Sequence, residues 1–211
     1  MSGSNTCSGG VPENAHFSPG SPTGNVDIPF GNAPKQSLIN DIDSAVGTLG
    51  PGWKARITPH GGLNGRDSGT QNHPNGDAAD TQLYYNGKLV SPNENPAAYQ
   101  QYVRAFTGIS NSKGVRPGIG GYDSFVHMDQ SPWRQRDVKA DPAGTWGGKT
   151  WASEGIQQGA ADAKSGNVNY YENKADGTSG EPPAGKTGED AMAQSEAAKQ
   201  SQTACTPNDK S

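Results

Sequence analysis

Two side chains with metal-binding chemistry lie in the loop HPNGDAAD, His73 and Asp80, and a third, His127, lies in the later run SFVHMD. The chain has four histidines, so half of them fall in this set; the others are His16 and His60. Neutral imidazoles and a carboxylate are the donors of a site with three protein ligands and one corner open for water. Such a site needs its ligands on rigid elements. In a strand, alternate side chains share a face. Ala78, Asp80 and Gln82 would then lie together, as would Asp123, Phe125, His127 and Asp129. Were the two strands neighbours, Asp80 and His127 would converge, with His73 reaching over from a loop that Gly76 allows to turn sharply. The bare spacing is also compatible with solvated loop residues or hydrogen-bonded structural ones.

The flanking sequence supplies candidate supports. NAPKQSLINDIDSAVGTLG carries Leu38, Ile42 and Val46 at helical spacing, with Asn32 as N-cap, Pro34 in the first turn and Gly47 or Gly50 as the stop. WKARI alternates as a short strand does. TPHGGLNGRDSGTQNHPNG is a long loop, of the kind that tends to carry function. DAADTQLYY and KLV, joined by Asn86-Gly87, predict a hairpin with a type I′ turn. NPAAYQQYVRAFTG predicts a second helix from Pro96 to Gly108. GVRPGIGG is expected to be a loop, and it lacks the Lys-Ser/Thr ending of a phosphate-binding loop. Residues 1–33 are expected to form an extended arm and 34–151 the folded domain. Residues 152–211, mostly Ala, Gly, Ser, Glu, Lys, Asn and Gln, are expected to be a low-complexity tail.

HPNGDAADTQLYYNGK resembles the H-x-x-G-x-A-x-D signature of the zinc D-alanyl-D-alanine carboxypeptidase and L-alanyl-D-glutamate endopeptidase family, through His73, Gly76, Ala78 and Asp80. GGYDSFVHMD resembles the family's second element, an apolar strand ending in the last ligand, with His127 in that place. The likeness covers roughly residues 35–135. It implies an α+β fold, a small antiparallel sheet flanked by helices, as in hedgehog and lysostaphin-type domains. It also implies Zn²⁺ on His73, Asp80 and His127, and a peptidoglycan stem peptide as substrate. Family members place a catalytic acid three residues before the last histidine, where this chain has Ser124. That leaves Asp123 and Asp129 as candidates for the catalytic carboxylate, Asp129 alternatively as the residue that orients His127. A family Arg upstream of the first ligand has its nearest counterpart in Arg66. Arg66 or His60 would stabilise an oxyanion or bind a substrate carboxylate. Trp133, Trp146 and Trp151 are expected to cap the core.

Composition narrows the partners. Thirty glycines and 16 prolines, with a hydrophobic fraction of 30%, imply a small core and much irregular chain. A net charge of -4 without clustered Lys/Arg predicts no nucleic-acid partner, and no apolar run approaches a membrane span. The N-terminal residues lack the basic and apolar regions of a secretory signal. A protein made in a host cytoplasm and released by lysis, or carried in a virion, fits that pattern. The expected functions are therefore a phage endolysin or virion-associated cell-wall hydrolase, or else a structural tail component that keeps the fold with little turnover. The terminal arms would thread between neighbouring virion subunits. Cys7 and Cys205, one near each end, are either free thiols or a staple between the two tails.

Overall fold

The computed structural model describes residues 18–63, 72–130 and 142–168. Arg66, Trp133, Cys7 and Cys205 fall outside these residues, as do most of both expected arms. The fold is α+β, with a seven-stranded sheet and three helices. In chain order the elements are β1 (Val26–Asp27), α1 (Gln36–Gly47), β2 (Trp53–Ile57), β3 (Ala78–Tyr85) and β4 (Lys88–Val90). There follow α2 (Pro96–Ser112), β5 (Gly118–Gly121), β6 (Val126–Asp129), β7 (Gly144–Trp146) and α3 (Thr150–Ser165). The strands lie in the order β1-β2-β3-β6-β5-β7, with β4 also paired to β3. The sheet is mixed, not purely antiparallel as expected. Its outermost pairs, β1 with β2 and β5 with β7, are parallel.

β3 organises the sheet because it is long enough to pair twice along one edge. Its first half meets β6 and its second half meets β4 through the Asn86-Gly87 turn, where both residues have positive φ, 49° and 79°. Ala79, Thr81 and Leu83 face α1 and α2, and the intervening Asp80 and Gln82 face the other way. Trp53, Tyr99, Tyr102 and Phe106 are fully buried on the core side. Each contributes roughly 1.5–3 kcal/mol of hydrophobic burial. The Tyr99 hydroxyl accepts from Leu83 N and donates to Val90 O, both at 3.0 Å.

The helices depart from expectation in instructive ways. α1 starts at Gln36, so Pro34 precedes it, and Asn32 caps nothing; it is used elsewhere. Asn95 does cap α2, its side chain accepting from Ala98 N at 3.1 Å. α2 runs past Gly108 to Ser112, and Gly108 lies against Gly159 of α3. A Cβ on Gly159 would come within 2.9 Å of Gly108 N and 2.2 Å of Arg104 O. Arg104 donates twice to Asp162 at 2.6 and 3.0 Å, locking the helix pair. The folded unit therefore continues beyond the expected boundary at Trp151, through a helix whose Gly and Ala face permits backbone contact. At the other end, Val26, Asn32 and Ala33 are buried against the domain, so this part of the expected arm is integral to it.

β5 was expected to be a loop. Its glycines are a strand because neighbours fill the space above them. Asp129 occupies the place of a Gly118 side chain, and the Trp146 indole that of Gly120.

Candidate metal centre

The register of β3 and β6 sets Asp80 opposite His127 and Ala78 opposite Asp129. His73 comes from a turn closed by Gly76 N donating to His73 O at 3.0 Å, with Gly76 at φ 69°. Two further segments hold these pieces. Residues 58–61 bracket Asp80: its N donates to Gly61 O at 2.6 Å, and Thr58 N donates to its O at 3.0 Å. Residues 32–35 brace both loops. Asn32 donates its amide to Thr58 O and Pro59 O and accepts at its backbone from Leu63 N. Lys35 donates to Gly76 O through its backbone and to Asp77 through Nζ at 2.6 Å.

His73, Asp80 and His127 form a group able to hold a metal ion, with one ligand atom from each and all three within 4.8 Å of one another. His73 Nδ1 lies 3.1 Å from Gly62 O, a pure acceptor. The proton therefore sits on Nδ1, and Nε2, 3.6 Å from Asp80 Oδ1, keeps its lone pair for a metal. His127 Nδ1 lies 2.7 Å from Asp80 Oδ1, and its Nε2 lies 3.2 Å from Asp129 Oδ2. Asp129 is fully buried and stands behind the ring, away from the shared corner. A ligand histidine braced by a carboxylate at its far nitrogen is a common arrangement in metal sites.

The electrostatics follow from burial and these two carboxylates. Burial opposes charge on His127, but hydrogen bonds and charge from Asp129 and Asp80 outweigh it and raise its pKa from 6.5 to about 9. His73 is pushed down, chiefly by burial and despite Asp80. Without metal, one imidazole is thus held charged and the other neutral.

The remaining candidates are placed less favourably. Asp123 is not on the His127 face. β6 begins only at Val126, and Asp123 sits in the preceding turn, its side chain 72% exposed and paired with Lys149, which holds its carboxyl below the usual range. Asp129 faces the imidazole instead of the open corner. Arg66 lies outside the described residues. Trp151 packs in the core as expected, but Trp146 does not: its ring lies 5.1 Å from that of His127. The Asn32 and Lys35 braces had no signal in the sequence beyond residue types suited to turns. Compared with known proteins, the chain matches no family model, no curated protein and no solved structure. Among the described residues, no helix is long and apolar enough to cross a membrane.

Proposed function

We propose that this chain is a zinc-dependent peptidase of the D-alanyl-D-alanine carboxypeptidase and L-alanyl-D-glutamate endopeptidase type. It would act on the stem peptide of peptidoglycan as a phage endolysin or virion-associated hydrolase. The observation that carries the reading is the convergence of His73 Nε2, Asp80 Oδ1 and His127 Nδ1, the residues picked out by the H-x-x-G-x-A-x-D and SFVHMD segments. At zinc–ligand distances of about 2.0–2.1 Å, a tetrahedral site separates its ligand atoms by about 3.3 Å. The observed His73–Asp80 separation of 3.6 Å is near that spacing, whereas the 2.7 Å between His127 and Asp80 is a hydrogen-bond distance that would have to open by about 0.6 Å around a bound ion. Zn²⁺ bound there would supply a Lewis acid and a water of pKa about 7. Asp80 and the two imidazoles provide the donor set, Gly62 fixes the His73 tautomer, and Asp129 fixes the His127 ring. Arg66 is the proposed partner for a substrate carboxylate.

One observation favours a second reading, a virion structural component with the same fold and little turnover. Asp123 is engaged by Lys149 and Asp129 stands behind His127, so neither reaches the open corner as placed. Zymography of the zinc-loaded protein separates the two. Clearing of peptidoglycan that stops on chelation and returns with zinc supports the peptidase. One zinc per chain with no clearing on several cell-wall types would support the structural role. Absence of stoichiometric zinc would sink the peptidase reading.

A further inference from the structure

Three aromatic side chains run away from the metal-binding group along the β5–β6 end of the sheet. Trp146 packs its ring 5.1 Å from that of His127 and reaches it only because Gly120, the register partner of His127, has no side chain; a Cβ there would meet indole Nε1 at 2.5 Å. The Trp146 N–H donates to the Tyr122 hydroxyl at 2.9 Å, and the Tyr122 ring stacks on Phe125 at 4.4 Å. None of the three belongs to the buried core cluster, and Tyr122 is 37% exposed. Partly exposed aromatic rings in a row offer apolar area at little entropic cost, and tyrosine adds a polar tip.

We infer that Trp146, Tyr122 and Phe125 form the wall that seats a peptide across the metal centre, the Tyr122 hydroxyl donating to a backbone carbonyl of that peptide. This deepens the peptidase reading and rests on it. The wall begins at His127, one of the proposed ligands, so a peptide held at the centre would extend along it. The occupant is the part of that peptide next to the bond the centre acts on, with an apolar side chain against the rings. The accepted indole N–H fixes the hydroxyl oxygen and leaves its hydrogen to donate outward. Phe125, stacked beneath, holds the phenol ring in place.

The test uses zinc-loaded full-length protein, a stem tetrapeptide and an all-L alanine tripeptide, with binding followed by calorimetry. Tyr122→Phe should keep the wild-type zinc content and weaken the stem peptide roughly 3- to 10-fold, the worth of one net hydrogen bond. KM should rise more than kcat falls. Trp146→Phe, which removes the anchor, should do the same. If wild type binds only the all-L peptide and Tyr122→Phe weakens that, the wall stands and the peptidoglycan reading fails. Wild-type behaviour of both variants overturns the inference. So does loss of zinc in either variant, because the rings would then serve the ligand shell, and so does binding of neither peptide by wild type.

Discussion

Gly118→Ala is the sharpest test of how the centre is held. A Cβ on Gly118 would sit 2.3 Å from Asp129 Oδ2, 2.8 Å from its Cγ and 2.9 Å from Oδ1. An exposed side chain would swing away at small cost. Asp129 cannot, because it is fully buried and its Oδ2 is committed to His127 Nε2. Either β5 shifts or the carboxylate leaves the imidazole. Overpacking of this kind costs about 1–3 kcal/mol, or about 2–12 °C in Tm for a domain of this size. Loss of the brace behind a ligand histidine lowers metal affinity by about 10–100-fold. Competition with a chromophoric chelator, run well below the variant's own melting temperature, measures the second effect apart from the first. Because a shift of β5 alone would leave the brace intact, Asp129→Ala removes it directly, and a folded Asp129→Ala protein with metal affinity within twofold of wild type would refute the claim that Asp129 orients His127.

The other expectations are simpler to state. His73→Ala and Asp80→Ala should each abolish stoichiometric zinc, read by metal analysis of the purified proteins; full retention by either removes it from the ligand set. Zinc must displace the proton that His127 carries below about 9, so affinity should rise at least tenfold per pH unit between 7 and 8.5, ionisation of the bound water adding to the slope, and rise less steeply above 9. Calorimetry in buffers of different ionisation heat should show at least one proton released per zinc in that window, and none would contradict it. In the metal-free protein the same raised pKa adds stability that is fully present below 6.5 and lost as pH rises through about 9, so apo Tm should fall over that range. Asn95→Ala should destabilise the fold by about 0.5–2 kcal/mol through the lost α2 cap without changing zinc content, as chemical denaturation would show.

How much of this was legible in the sequence depends on what each residue type can signal. The hairpin was readable because Asn86-Gly87 is a turn with its own backbone chemistry. His73, Asp80 and His127 were readable because alternation along two real strands does put Asp80 and His127 on one face. The same rule failed for Asp123, since alternation ends where the strand ends, and β6 starts three residues later. β5 was illegible because a glycine run has poor intrinsic strand preference; only the atoms stacked above Gly118 and Gly120 explain it. α3 was hidden for a related reason. Its contact face is built from Gly155 and Gly159, which look like linker composition until α2 is laid against them.

The tethers made by Asn32 and Lys35 have a consequence for where this domain begins. A chain shortened to start at Gln36 would retain all three helices and every strand except β1. It would lack the amide that pins residues 58–63 and the ammonium that pins Asp77. The loops carrying His73 and its Gly62 partner would then rest on their backbone bonds to Asp80 and Gln130 alone, without a side-chain tether from upstream. The first helix does not mark the edge of this domain: the core reaches back to Val26 and Ala33, and the support of the candidate metal group begins at Asn32, four residues before α1.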